Sequence, residues 1–470
     1  MENNNSNLEI PSTIDVIVIG SGFAGLSAAI ECKMSGGNVI VLEKMKAIGG
    51  NSIISDGGIA APDTDEQHKL GINDSREMMF SDMMKSGEGL NNPLITKVVC
   101  DNALDAYLWS KDVLKVKYLP RVDIFGGHQV PRCYSPDPLS GSTMILQMKK
   151  KCDELGIQIF LGTYVTSFIV DSVNHVIGLQ LDTQYSFNPN HIIDHKSIYA
   201  TKGVIVATGG FAADTTFIQK HNAKIDLNFQ TTNKKSTSAE VLESCMRIHC
   251  ATAHLDQIQW MPWTTNDETG YGRGGLFGDY IVSSYGILIN TKTGKRFVNE
   301  LGNRKIVAQE ILKVKDVIGV VDSTSVEKAG WDLDIALKKG IIKSHMHLDE
   351  LADDYSISTT LFIQTITDYN TMLTTNQKDP FNKVIEPWMT PILKPPFYSM
   401  KITPKTHYSL GGLVTDEDTY VLDNNGKIVH GLFAVGEVTG LTHGANRLGS
   451  CSVTECLVMG RIAGRKVINR

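Results

Sequence analysis

The stretch from Asp15 to Glu43 constrains the fold of this chain more than any other. An apolar run, Asp15-Val16-Ile17-Val18-Ile19, leads straight into Gly20-Ser21-Gly22-Phe23-Ala24-Gly25, then into Leu26-Ser27-Ala28-Ala29-Ile30. A second apolar run, Asn38-Val39-Ile40-Val41-Leu42, ends in Glu43. The pattern reads as strand, glycine loop, helix, strand and acid, which is the dinucleotide-binding unit of an α/β fold. Gly20 permits the tight turn, Gly22 lets the backbone approach a pyrophosphate, and Gly25 lets helix and strand pack closely. The helix start offers N–H groups and a partial positive charge to phosphates. Glu43, about 20 residues beyond the loop, is placed to accept ribose hydroxyls. Cofactor contacts are therefore expected at Gly20, Gly22, Phe23, Ala24, Gly25, Glu43 and Lys44. The bland alternative is a glycine-rich turn that binds nothing.

Two later segments repeat the strand-to-small-residue form. Gly203-Val204-Ile205-Val206-Ala207-Thr208-Gly209-Gly210 suits a strand running under the cofactor, with Thr208 and Gly209 at its end. Gly431-Leu432-Phe433-Ala434-Val435-Gly436-Glu437 sets an acid where it meets the sugar part of a flavin cofactor, or else stands as a surface turn acid.

At 470 residues the chain is long enough for two domains. A net charge of −6 without a long basic run argues against a nucleic-acid partner. No apolar stretch reaches membrane-spanning length. Residues 1–12 are polar and are expected to form a short disordered lead without a signal pattern. A mature chain whose signal had been removed would read the same, so the compartment stays open: cytoplasmic as written, periplasmic if mature. Eight cysteines occur and none forms a Cys-x-x-Cys pair, so neither c-type haem, iron–sulfur cluster nor structural zinc is expected, and no metal site is assigned.

Residues 256–403 differ in texture from what surrounds them and hold four of the five tryptophans. The reading is a disordered lead at 1–12, a first nucleotide-binding part at 13–255, an inserted α+β cap at 256–403, and a second nucleotide-binding part at 404–470.

Three further segments carry a family likeness: Gly294-Lys295-Arg296-Phe297-Val298-Asn299-Glu300 followed by Arg304, His407-Tyr408-Ser409-Leu410-Gly411-Gly412, and His443-Gly444-Ala445-Asn446-Arg447-Leu448-Gly449. With the N-terminal loop they closely resemble the flavoprotein subunits of fumarate reductases and succinate dehydrogenases. The likeness is nearest to the soluble, flavocytochrome-type branch, which includes enoate reductases of anaerobic electron transport. The resemblance covers the chain from about residue 13 onward. It implies a Rossmann-like FAD domain interrupted by a mobile cap, with substrate between them. It also implies that Arg447 clamps a substrate carboxylate, that His407 binds substrate with Gly411 beside it, and that Arg304 delivers a proton.

The implied reaction moves a hydride from flavin N5 to Cβ of a 2-enoate and a proton from Arg304 to Cα. A guanidinium matches a carboxylate bidentately. Arginine is a weak acid, but an α-carbanion is a much stronger base, so transfer is reasonable if Arg304 is reprotonated. Other readings stay open at each position: a surface salt bridge from Arg304 to Glu300 or Glu310, a pyrophosphate contact for Arg447, a packed core histidine for His407. The remaining flavin contacts are assigned to Gly50, Asn51, Ser52, Gly57, Gly58, Gly449 and Ser452.

Departures from the family pattern are informative. Met261, in Gln259-Trp260-Met261-Pro262-Trp263, stands where fumarate-specific members carry a second histidine. With Trp260 and Trp263 it favours a monocarboxylate with an apolar or aromatic tail over a diacid. Asp279 replaces the relay glutamate, and no arginine follows it; Arg273, upstream, is the remaining candidate. Asn51 falls where respiratory complexes link FAD to a histidine, so FAD is expected to be non-covalent. No second dinucleotide loop is evident, so electrons are expected from an external redox protein such as a small cytochrome. Two rival functions remain: a dehydrogenase or oxidase running the reverse chemistry, and a non-catalytic flavin electron-transfer or sensor subunit.

Overall fold

A computed structural model describes residues 9–187, 194–225, 228–375, 377–385 and 388–469. The expected disordered lead lies outside the described residues for positions 1–8. The chain divides into two compact units. Unit 1 holds the chain up to Ile225, Lys234–Ile258 and everything from Tyr408 onward. Unit 2 holds Gln259–His407 and a short stretch ending at Asn233. That short stretch, read from sequence as part of the first FAD segment, clusters with unit 2 because its backbone pairs with the far end of the insertion: Thr232 N–H donates to the Thr406 carbonyl (2.9 Å) and Thr406 N–H to the Gln230 carbonyl (3.0 Å).

Unit 1 is built on an eight-stranded sheet among the described residues. At its centre β1 (Thr13–Ile19) lies parallel to β2 (Val39–Glu43) on one side and to the Asp194–Val206 strand on the other. Ile428–Ala434 continues the parallel order beyond Asp194–Val206, and Gln158–Leu161 continues it beyond β2. An antiparallel hairpin, Tyr164–Val170 with Val176–Thr183, attaches to Asp194–Val206. Five consecutive buried residues in β2 agree with a strand covered on both faces.

Helix α1 (Phe23–Met34) is buried at ten of its positions, Phe23 to Cys32. It lies between the sheet and the C-terminal helix Cys451–Lys466. The two helices approach through small residues: a Cβ on Gly460 would stand 2.6 Å from the Ala24 carbonyl oxygen, and one on Gly464 2.4 Å from that of Ala28. Arg461, between those glycines, pairs with Glu31 on α1 at 2.8 Å.

Unit 2 is α+β. An antiparallel four-stranded sheet runs in the order Ile287–Asn290, Val317–Asp322, Phe397–Ile402, Lys343–His345. The helices Leu348–Asp354 and Thr359–Thr374 contribute Leu351, Phe362, Ile366 and Tyr369 to a core shared with Ile287, Ile289, Ile318 and Val320.

Candidate active site

The glycine loop of unit 1 has the conformation a dinucleotide requires. Gly20 adopts φ 106°, and a Cβ there would sit 2.3 Å from the Ala207 carbonyl oxygen. A Cβ on Gly25 would lie 2.0 Å from the Gly20 oxygen, so helix and turn touch backbone to backbone. Gly22 caps α1 and lies close to Ser52, whose Oγ accepts the Phe23 N–H at 3.0 Å. Ala24 is buried beneath the loop. Glu43 at the end of β2 turns back on the loop and accepts from Ser21 N–H (3.2 Å), Ser21 Oγ (2.5 Å) and Met45 N–H (2.8 Å). Its neighbour Lys44 pairs with Glu240 at 3.2 Å.

Gly50 (φ 47°) and Gly209 (φ 75°), the latter following Thr208, are left-handed with nothing within 4 Å of an added Cβ, which leaves bare backbone for a ligand. These features fit FAD. Asn51 is held by its amide, donating to Thr237 Oγ1 at 2.9 Å and accepting the Lys234 N–H at 3.0 Å. Gly57 packs on Gly141, and a Cβ on Gly58 would stand 2.8 Å from Ser450 Oγ.

The segment Thr442–Ser450 is held from both ends by strained backbone and from one side by the chain around residues 86–96. Leu441 and Ser450 adopt left-handed φ of 76° and 64°, uncommon for non-glycine residues and typical of functional turns. Asn91 Nδ2 and Thr96 Oγ1 both donate to the Thr442 carbonyl at 3.0 Å, and Ser86 Oγ donates to that of Asn446 at 2.9 Å. His443 Nε2 lies 2.8 Å from Glu455 Oε2, and Tyr408 donates to the same oxygen at 3.3 Å. Burial raises the Glu455 carboxyl, but His443 and the hydrogen bonds around it more than offset this and hold it below the usual range. Within this frame Arg447 is buried, its guanidinium 5.0 Å above the Tyr408 ring and donating to the Leu448 carbonyl at 3.1 Å.

The Gly449 carbonyl accepts from His128 Nε2 at 3.0 Å, which fixes the ring's other nitrogen as an acceptor facing Arg132 Nη1 at 3.2 Å. Burial, then the adjacent guanidinium, pushes His128 down to about 4. Arg132 is itself fully buried between Asp74 (2.8 Å) and Asp82 (2.5 Å). Ser450 precedes the C-terminal helix and Ser452 lies in its first turn.

Glu437 is part of a short 3-10 turn, where it accepts from Ser409 N–H (2.9 Å) and Ser409 Oγ (3.2 Å). Desolvation pushes its carboxyl up to about 7. A fully solvated turn acid would not show that upward shift. Gly411 packs against backbone, a Cβ there standing 2.1 Å from the His254 carbonyl oxygen.

Unit 2 carries the second set of predicted residues. Arg304 opens the helix Arg304–Val314 and is buried. Its Nη2 donates to Asp279 Oδ2 at 3.2 Å, and its guanidinium lies 5.7 Å from the centre of the Trp263 ring. The alternative partners are engaged elsewhere: Glu300 with Arg296 (2.7 Å) and Lys383 (3.5 Å), Glu310 with Lys313 (2.6 Å). Asp279 sits in a π-helical stretch, Phe277–Val282, a local widening that is uncommon and frequent at functional sites. Met261 and Trp263 are buried, while Trp260 packs edge-on to Phe229 at 4.5 Å. His407 is half-buried, with Nδ1 2.7 Å from Thr232 Oγ1. Arg273, expected as a relay partner, is exposed and lines a small cavity with Leu276, Phe277 and Trp331. From that stretch it is Tyr271 that reaches Asp279, at 3.0 Å. Sequence reading missed Tyr271, Thr232 and the His443–Glu455 pair; the Gly270-Tyr271-Gly272 triplet was the available signal for the first.

A doubly wound FAD-type domain with a buried arginine in a strained glycine-rich turn, interrupted by an α+β insertion, defines a flavin-dependent oxidoreductase. Residues 15–453 match the family described as FAD binding domain. The chain is 32% identical over 462 residues to the acrylate reductase flavoprotein subunit of Shewanella woodyi, covering 96% of this chain and 90% of that protein. It is 30% identical to the urocanate reductase of Eggerthella lenta, covering 97% and 74%. The open conformation of a flavocytochrome c3 fumarate reductase superposes with a TM-score of 0.78 at 26% identity, covering 97% and 78%. The chain belongs to this FAD-binding, fumarate reductase-like family, whose members named here are reductases of acrylate, urocanate and fumarate. No helix among the described residues is long and apolar enough to cross a membrane.

Proposed function

We propose that this protein is a reductase of a 2-enoate monocarboxylate bearing an apolar or aromatic tail. The observation that carries the reading is the buried Arg304–Asp279 pair beside Trp263, a guanidinium held by one carboxylate against an aromatic ring. Arg447 clamps the substrate carboxylate, in a charge-assisted bond contributing about 1.5–3 kcal/mol and more where water is excluded. His407, its ring fixed through Nδ1 by Thr232, adds a second donor. Arg304 gives its proton to Cα, and Asp279 orients the guanidinium and stabilises its charge before transfer. FAD, held by the glycine loop, Gly50, Gly209, Glu437 and the start of the C-terminal helix, supplies the hydride when bound. With an amide at Asn51 in place of a nucleophilic ring nitrogen, it is held non-covalently.

Met261 supports the monocarboxylate assignment, because a thioether cannot hold the second carboxylate of fumarate. The acrylate and urocanate reductases among the relatives act on substrates of that class by name. The electron donor is an external redox protein such as a cytochrome. The test is steady-state turnover of the FAD-loaded protein with reduced methyl viologen as donor. Consumption of acrylate, cinnamate or urocanate with fumarate inert is expected; fumarate as the best substrate would overturn the monocarboxylate assignment.

A further inference from the structure

The hydrogen-bond chain behind Arg304 does not stop at Asp279. Tyr271 Oη donates to Asp279 Oδ2, the same oxygen that accepts from Arg304, at 3.0 Å against 3.2 Å. Arg304 and Asp279 are buried, whereas Tyr271 is half-buried and so is the link that meets solvent.

The loop around Tyr271 is constructed to hold its ring. Gly270 and Gly272 flank it, both left-handed at φ 70° and 61°. Lys405, itself fully buried, donates to the carbonyls of Glu268 and Gly270 and ties the loop down from beneath. The Glu268 carboxylate accepts the Gly274 N–H at 2.9 Å and fills the space a Cβ on Gly272 would need. Gly275 leaves room for the ring: a Cβ there would come within 2.6 Å of Tyr271 Cδ2. Six residues thus serve the position of one phenol.

We propose that Tyr271 is the outer member of the proton path that reloads Arg304, acting through Asp279. The inference rests on the reading of Arg304 as proton donor. After Arg304 has given an N–H proton to Cα of the substrate, the Tyr271 O–H bond breaks as an O–H bond forms at Asp279 Oδ2, and the Asp279 proton passes to the arginine nitrogen. The tyrosinate then takes a proton from solvent water. One solvent proton enters per product molecule and no electrons move. The direction is favourable, because a phenol of pKa about 10 gives its proton readily to a neutral guanidine whose conjugate acid lies above about 12. The carboxylate between them serves as the bridge, and the charge left on the phenolate is removed when half-buried Tyr271 takes a proton from solvent. Tyr271 therefore does the work expected of a second arginine.

The test compares wild type, Arg304→Ala and Tyr271→Phe as FAD-loaded proteins, using the fastest of acrylate, cinnamate and urocanate. Flavin absorbance confirms that each variant is folded and loaded. Tyr271→Phe is expected to lower kcat at least tenfold, leave KM within about twofold, and raise the solvent deuterium isotope effect on kcat. An unchanged kcat, or a lower kcat with the wild-type isotope effect, would overturn the relay while leaving Arg304 as donor, provided Arg304→Ala is inactive. Turnover retained in Arg304→Ala, or a silent wild type, would overturn both readings.

Discussion

On the proposed reading Arg304 is an arginine that acts as an acid, which makes its surroundings the first thing to weigh. Asp279 on Nη2 and the Trp263 ring hold the guanidinium in place, and the driving force for proton transfer on that reading is the high basicity of the α-carbanion. Arg304→Ala should reduce enoate turnover by about 10²–10⁴-fold, the usual worth of a general acid, with flavin absorbance unchanged. Arg447→Lys should act differently. Lysine keeps the charge but loses the bidentate fork, so KM should rise by about tenfold or more for every carboxylate substrate; an unchanged KM would remove Arg447 from substrate binding. Arg304, Asp279, His407 and Arg447 were singled out in the sequence through the family resemblance, and their proposed roles rest on it; the structure shows Arg304 and Asp279 paired and His407 held by Thr232. Tyr271 was not singled out. No arginine follows Asp279 in the sequence, and the hydrogen bond from Tyr271 to Asp279 Oδ2 depends on the three-dimensional course of the loop.

At the level of elements, the glycines do most of the positioning. The turn after β1 was legible because its demands are local: a left-handed Gly20 and a helix start within a few residues. The seam between α1 and the C-terminal helix was not, although Gly460-Arg461-Ile462-Ala463-Gly464 carries it, because small residues four apart acquire meaning only when the opposing helix is known. Gly464→Val should destabilise the protein by about 1–3 kcal/mol through overpacking, read as a lower urea midpoint with FAD-binding stoichiometry retained at low denaturant. A wild-type midpoint would mean that the two helices yield freely. The π-helical stretch holding Asp279 likewise has no signature in composition, since the extra residue per turn is imposed by packing.

For the molecule as a whole, acid sensitivity should originate in part beside the Thr442–Ser450 turn. His128, held down to about 4 by burial and by Arg132, is neutral in the folded state over a range where the unfolded chain is protonated. The unfolded state then binds more protons, so this contribution is complete above about pH 6.5 and is lost as pH falls toward about 4. The difference corresponds to about 3 kcal/mol at most. His128→Gln should flatten the fall of the urea midpoint over that window, and an unaltered pH dependence would remove His128 as its source.

The division of labour between a Rossmann-type frame and an α+β insertion was legible from the change in texture near residue 256. The joining of the stretch ending at Asn233 to unit 2 depends on backbone pairing with Thr406, across a sequence separation that no local pattern reports.

The central claim, proton-coupled reduction of a 2-enoate monocarboxylate, is tested most directly by one anaerobic stopped-flow experiment. The bound flavin is reduced chemically and mixed with fumarate, acrylate, cinnamate and urocanate in turn. Rapid flavin reoxidation by at least one monocarboxylate, with fumarate inert, is the predicted result; a flavin that stays reduced with every enoate would contradict the account.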